Sequence, residues 1–305
     1  MPIVDNEDER EGISSLAITH EVIAGVSCVV ARPSGDTPER GTFMSDSCDM
    51  TRPGGCALAL GTLVGTPSAA ARPSGCAPVQ GAPTDGPCDT ARSSGCAPAP
   101  GAIVVLDGTR VLRRVDRLVA EGKLDPACLP LMVGIDPDPA DRGLAQYTPW
   151  PHPAYKPGAP DFGGGAEAFL RDTVLPVATA LRHEHPEGPI GLFGYSLAGL
   201  FGLFAMLNTD VFSTYLLASP SMWYPGIVNR VARTPLACDP CVVVACGANE
   251  GLDHPEPIAG IRQDTDRLVA CLSERLTRRP VVVIDELDHH RGLATRLQTL
   301  LERWG

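Results

Sequence analysis

The stretch Pro189-Ile190-Gly191-Leu192-Phe193-Gly194-Tyr195-Ser196-Leu197-Ala198-Gly199 constrains this chain more than any other. A short apolar run ends in a serine flanked two residues either side by small residues, and a small-residue helical stretch, 197–207, follows. A strand that turns sharply into a helix strains the backbone at the turning residue, so bulk cannot be tolerated beside it. Gly194 and Ala198 meet that demand, Ala198 departing from the strict glycine of a G-x-S-x-G turn. Such a turn lifts the Ser196 hydroxyl to the helix N-terminus, where free amides and the helix dipole favour a developing anion.

The surrounding texture from residue 101 onward repeats the theme. Apolar runs at 102–106, 129–135, 189–193, 214–218, 242–246 and 281–284 read as buried strands. Between and after them, 113–120, 166–183, 197–207, 264–277 and 292–304 read as helices, with Pro176 expected to kink the second. Strands alternating with helices predict an α/β chain with a mainly parallel sheet covered on both faces. The expected organisation is an N-terminal segment over 1–27, a repeat region over 28–100 and an α/β core over 101–305.

The repeat has a period of 20 residues: Ala31-Arg32-Pro33-Ser34-Gly35 recurs as Thr51-Arg52-Pro53-Gly54-Gly55, Ala71-Arg72-Pro73-Ser74-Gly75 and Ala91-Arg92-Ser93-Ser94-Gly95. Its middle units carry too few Val, Ile, Leu and Phe to build a core, so turn-rich surface structure with a few short strands is expected, with a lid as the sharper alternative. Net charge is −11, which disfavours nucleic acid and anionic membrane surfaces. The acidic N-terminus lacks the basic flank and apolar stretch of a secretion signal, and no apolar run approaches a bilayer span. The cytoplasm is the expected compartment. Eleven cysteines, an odd number, argue against a secreted disulfide framework. Cys238 and Cys241 form a lone C-x-x-C that leads into a strand, so ordinary thiols are expected there, and neither metal nor cofactor.

A serine nucleophile needs a base and an acid, in the chain order serine, acid, histidine for a fold of this kind. His289 follows the last strand and is the expected base, with His290 next to it as the alternative. Glu250 follows the strand at 242–246 and is the expected acid, with Asp253 second. The Leu197 amide is one expected oxyanion donor. The second is expected from the turn after 102–106, with the Thr109 amide first and Gly108 next.

Together these pieces resemble the α/β-hydrolase esterase family that includes enterochelin-type trilactone siderophore esterases, S-formylglutathione hydrolases, feruloyl esterases and mycolyltransferases. Val105-Leu106-Asp107-Gly108 is similar to that family's oxyanion turn, and Tyr147-Thr148-Pro149 to its Tyr-Thr-Pro stretch. Phe162-Gly163-Gly164-Gly165 resembles the lead into its long helix, Ala218-Ser219-Pro220-Ser221-Met222-Trp223 its Ser-Pro-Ser-x-Trp segment, and Gly247-Ala248-Asn249-Glu250 its acid loop. The resemblance implies an α/β-hydrolase fold and a serine esterase acting through an acyl-enzyme on a small-molecule ester, the trilactone branch being the nearest. An acyltransferase or thioesterase of the same fold, and a non-catalytic binding module, are the alternatives. Arg110, Arg142, Tyr195 and Trp223 are the expected substrate-binding residues, Arg110, Arg113, Arg114 and Arg142 offsetting the chain's negative charge for an anionic substrate.

Overall fold

A computed structural model describes residues 16–33, 101–252 and 254–304. Beyond Pro33, the 20-residue repeat lies outside the described residues, as does Asp253. In chain order the elements are β1 (Leu16–Ile23), β2 (Val26–Pro33), β3 (Ala102–Leu106), α1 (Gly108–Ala120), β4 (Leu131–Ile135), β5 (Pro151–His152) and β6 (Phe162–Gly163). There follow α2 (Ala166–Phe169), α3 (Leu175–Glu184), β7 (Ile190–Tyr195), α4 (Leu197–Asn208), β8 (Thr214–Ala218) and α5 (Ile227–Arg233). The chain closes with β9 (Cys241–Gly247), α6 (Ile261–Arg275), β10 (Val281–Asp285) and α7 (Leu293–Leu301).

Eight strands form one sheet in the order β1-β2-β4-β3-β7-β8-β9-β10. The strands from β4 to β10 pair in parallel, and the β1–β2 hairpin adds antiparallel to β4. The predicted α/β class and parallel sheet are what the chain forms. The hairpin was not anticipated: β2 carries Cys28, Ala31 and Arg32, so the first repeat unit begins inside the sheet and the expected boundary at 27/28 falls within β2.

The two faces of the sheet account for the strand patterns. Val104, Leu106 and Leu192 pack with α3, α4 and α6 through Val177, Leu181, Phe201 and Leu268. Ile103, Val105 and Phe193 pack on the opposite face with α1 and α7 through Leu112, Val115, Leu297 and Trp304. With both faces covered, strands read as continuous apolar runs rather than alternating ones.

Two helices depart from expectation. The stretch expected as one kinked helix over 166–183 is divided: α2 gives way to a π-helical turn at Leu170–Val174 before α3. Pro176 sits in the first turn of α3 and has no N–H to donate, so the wide turn before it absorbs the missing ladder bond. Helix α1 begins at Gly108 rather than near 113, because Asp107 adopts a left-handed conformation (φ 54°) and turns the chain in one residue. A Cβ on Gly108 would lie 2.4 Å from the Gly134 Cα, so only glycine lets α1 start against β4.

The chain runs from β3 outward to β4, then returns to place β7 on the other side of β3. This is the topological switch point of an open parallel sheet, where the C-terminal strand ends leave a crevice. Asp107 follows β3 there and Ser196 follows β7.

Candidate active site

Ser196 occupies the expected turn between β7 and α4, with φ 59° and ψ −119°, a conformation few non-glycine residues adopt. The surroundings over-determine it. Its amide donates to the Ala218 carbonyl at 3.0 Å, and its carbonyl accepts from the Leu200 and Ser221 amides at 3.1 Å each. A Cβ on Gly194 would come within 2.2 Å of the Ala198 carbonyl oxygen, which is why the position two before the serine is glycine. Ala198, two after it, is buried without difficulty, since the demand there is only for a small side chain.

A continuous hydrogen-bonded chain leads away from the Ser196 hydroxyl. His289 Nε2 lies 3.1 Å from Ser196 Oγ, and His289 Nδ1 lies 3.3 Å from Glu250 Oε2. The three side chains come from the C-terminal ends of β7, β9 and β10. The Glu250 side chain is 2% exposed and that of His289 is 23% exposed, so the carboxylate is sealed while the imidazole borders the pocket. His290 stands edge-on to His289 at 5.4 Å, and of the two histidines only His289 bonds Ser196 and Glu250.

Glu250 is held from several directions. Its Oε1 accepts from the Ser219 hydroxyl at 2.6 Å and the Gly247 amide at 2.9 Å, and pairs with Arg296 at 2.5 Å. Burial alone pushes a carboxyl up. Here the hydrogen bonds from His289 and Ser219, together with the Arg296 charge, outweigh burial and hold Glu250 below its ordinary range.

Arg296, on α7, was not singled out from the sequence, and its side chain is only 1% exposed. Its guanidinium donates to both Asp285 oxygens (2.7 and 2.9 Å), to Ser219 Oγ (2.6 Å) and to the Leu287 and Asp288 carbonyls (3.0 and 3.1 Å). It therefore ties the end of β10, the acid and the backbone leading into His289 into one network. Tyr195 completes the support: its hydroxyl donates to the His289 carbonyl at 2.7 Å and its ring stacks on the imidazole at 5.0 Å. Burial pushes the Tyr195 phenol up to about 12, so it stays a donor. Tyr195 was expected to touch substrate; it borders the pocket, yet its polar atom is committed to His289.

A pocket of about 220 Å³ opens over Ser196, bordered by Leu197, Tyr195, His289, His290, Asp107, Arg110 and Arg142. Arg110 and Arg142, both expected to bind substrate, line this pocket. Trp223 does not border it. The indole instead joins an aromatic cluster, 5.1 Å from Tyr155, 5.8 Å from Phe162 and 6.0 Å from Tyr224. That cluster lies at the β5–β6 ribbon.

Leu197 opens α4, and its amide lies in the first turn, where helical amides have no intrahelical acceptor. The Thr109 amide does not fill the expected second oxyanion position, because it donates to Asp136 Oδ1 at 3.0 Å while its hydroxyl donates to Asp136 Oδ2. A carboxylate acceptor competes strongly for that amide, which corrects the first choice and leaves Gly108. Asp107 beside it is also fixed: Tyr147 donates its hydroxyl to Asp107 Oδ1 at 3.0 Å and accepts from the Asp107 amide at 3.2 Å.

Among the described residues, no group of three or more His, Cys, Asp or Glu side chains could hold a metal ion. Cys238 is a free thiol, whereas Cys241 is disulfide-bonded, which corrects the expectation of two ordinary thiols. No helix among the described residues is long and apolar enough to cross a membrane.

No protein-family model matches the sequence, and no curated protein matches it. Solved structures do match the fold. An IroE-like serine hydrolase from Shewanella oneidensis superposes with a TM-score of 0.53 at 20% identity, over 67% of this chain and 70% of that one. The BES protein from Bacillus cereus gives 0.52 at 14% identity, over 98% and 97% of the two chains. The enterobactin hydrolase IroE in complex with DFP gives 0.51 at 23% identity, over 70% and 86%. The parallel sheet with its switch point, the strained serine after β7 and these superpositions together identify an α/β-hydrolase fold.

Proposed function

We propose that this chain is a serine carboxylic ester hydrolase whose nucleophile is Ser196. The observation that carries the reading is the unbroken Ser196–His289–Glu250 hydrogen-bonded chain at the mouth of the switch-point pocket. His289 Nε2 takes the Ser196 proton as Oγ bonds to the ester carbonyl carbon, and Glu250 holds the imidazole tautomer and stabilises the imidazolium. The Leu197 amide receives the oxyanion, and the Gly108 amide is the second donor. His289 then gives the proton to the departing alkoxide. Water repeats the sequence on the acyl-enzyme and releases the acid. No cofactor enters any step.

Within that class a trilactone siderophore-type ester is the preferred substrate. Its support is the set of motifs shared with trilactone esterases, together with a fold match to a protein described as an enterobactin hydrolase. The test is intact-protein mass spectrometry after exposure to a fluorophosphonate and to a panel of esters, trilactones included. The wild type is expected to gain one adduct, located on Ser196, and Ser196→Ala none. Labelling elsewhere, or turnover that survives the substitution, refutes the reading. Fast turnover of simple esters without cleavage of any trilactone leaves a general esterase.

A further inference from the structure

Among the described residues β10 pairs with β9 alone, so it forms one edge of the eight-stranded sheet. The Asp285 carbonyl accepts from the Ala248 amide at 2.7 Å, which turns the Asp285 backbone toward β9. The N–H and C=O of one residue share a side of the strand, and the sides alternate along it. Val281 and Val283 therefore also face β9, while the backbone groups of Val282 and Ile284 face outward. Those outward groups form no hydrogen bond among the described residues. Natural edge strands are commonly blunted by a charge, a proline or a bulge. The run Val281-Val282-Val283-Ile284 contains no charge and no proline, and its register with β9 is unbroken. Val281 and Val283 pack on the core face shared with α1 and α7, whereas Ile284 is 44% exposed.

The ends of the strand specify what fits this edge. Arg278 and Arg279 precede β10 and Glu286 follows it; all three are exposed, and none forms a salt bridge among the described residues. Laid antiparallel beside a copy of itself, such a strand sets Arg278 and Arg279 near the other copy's Glu286 at both ends. Laid parallel, it sets like charges together, which is unfavourable. The outward backbone groups then fix the register. In an antiparallel pair centred on Val283, each Val282 lies opposite the other copy's Ile284, and the two exchange both N–H···O bonds. Val283 meets its own copy in the narrower, non-hydrogen-bonded position between them. The same register brings Val282 and Ile284 of the two copies together on one face, where β-branched cross-strand pairs are favourable and the exposed Ile284 is covered.

We propose that the partner of this edge is a second copy of the chain, and that β10 pairs antiparallel with its copy across a two-fold axis at Val283, joining two sheets into one. Backbone groups, apolar side chains and end charges all select that single register, and a two-fold axis satisfies each of them twice. The proposal is independent of the esterase reading, since it uses no residue of the Ser196–His289–Glu250 chain.

The test is sedimentation velocity of the full chain across a concentration series from about 1 to about 200 µM, a range that brackets weak and firm dimers. The wild type is expected to move from monomer to dimer along it. Glu286→Arg, which opposes like charges at both ends, should weaken the dimer at least about tenfold, as should Arg278→Glu/Arg279→Glu. All three substitutions in one chain should restore it, a rescue that misfolding does not produce. Ile284→Lys should leave monomer only, with Tm retained because that side chain is exposed. Val283→Cys places two thiols across the axis on Cα atoms about 4.5 Å apart, within disulfide range. Mild oxidation should then give a covalent dimer, cross-linked at position 283, that the wild type does not form. A monomer at every concentration, a dimer indifferent to Ile284→Lys or to the charge reversals, or no rescue on combining them overturns the proposal; an indifferent dimer would lie on another surface, such as the β1 edge.

Discussion

Replacing Arg296 by methionine keeps much of the side chain's volume and removes its charge. Glu250 and Asp285, whose side chains are 2% and 17% exposed, then lose their shared cation, and the Leu287 and Asp288 carbonyls lose a donor. Removing one partner of a buried ion pair costs about 3–5 kcal/mol, since the remaining charge stays desolvated and uncompensated. For a domain of this size that lowers Tm by on the order of 10 °C. Function should suffer in a specific way. Without the Arg296 charge, burial dominates at Glu250 and its carboxyl rises. Ester hydrolysis then loses its acid component at a higher pH than in the wild type, with the change in kcat rather than KM. Arg296→Lys keeps a charge without the planar fork and should restore the pH profile more than the rate. Adding Asp285→Asn to Arg296→Met removes one stranded carboxylate and should recover part of the lost Tm. Thermal unfolding and pH–rate profiles of these variants decide the matter. An Arg296→Met protein within about 1 kcal/mol of wild type, with an unshifted pH profile, would refute the assignment of Arg296 as the clamp on the acid and the His289 loop.

Ser196→Ala is expected to lower kcat by on the order of 10⁶-fold with Tm retained, measured by ester turnover alongside thermal unfolding. His289→Ala should be nearly inactive and His290→Ala mild in the same assay, since only His289 bonds both Ser196 and Glu250. Glu250 lies below its ordinary value of 4.5, so its ionised form stabilises the fold above that value, and the contribution is lost as pH falls beneath it. The Tm gap between wild type and Glu250→Gln should therefore be constant near neutrality and narrow below about pH 4.5; a gap that widens with acid contradicts the sign. Gly194→Ala should destabilise through the contact with the Ala198 carbonyl, with denaturant midpoints as the readout and an unchanged midpoint as the refutation.

What the sequence disclosed, it disclosed through strong local signals. β3, β7, β8 and β9 are buried on both faces, and burial of that kind leaves unbroken apolar runs that mark a strand without any knowledge of its neighbours. The serine turn was legible because strain demands small residues in a fixed pattern. The β1–β2 hairpin was not. β1 is exposed along much of its length, so its apolar residues do not alternate cleanly, and the repeat that starts at Cys28 imposes its own 20-residue rhythm on β2. The edge strand β1 pairs with β2 alone, and β2 owes its place to β4, a strand far along the chain whose pairing nothing local announces.

The same distinction separates the residues of the site that could be found from those that could not. Ser196, His289 and Glu250 follow strand ends in a fixed order, so counting strands locates them. Thr109 failed because its competitor, Asp136, lies after a different strand, and hydrogen bonds between loops have no sequence period. The ring partners of Trp223, Tyr155 and Phe162, have no sequence period either, since the β5–β6 ribbon brings them there. Arg296 did leave a trace. Leu293, Leu297 and Leu300 set the buried face of α7, and Arg296 falls on that face. A lone arginine in an apolar stripe must find carboxylates or carbonyls inside the protein, because an unpaired buried charge is too costly to persist. With the expected acid after β9 and the expected base just before α7, an inward-facing arginine one turn into that helix has little else to bond. Reading the charged residue against its helix face, rather than against its neighbours in sequence, would have pointed from α7 back to Glu250.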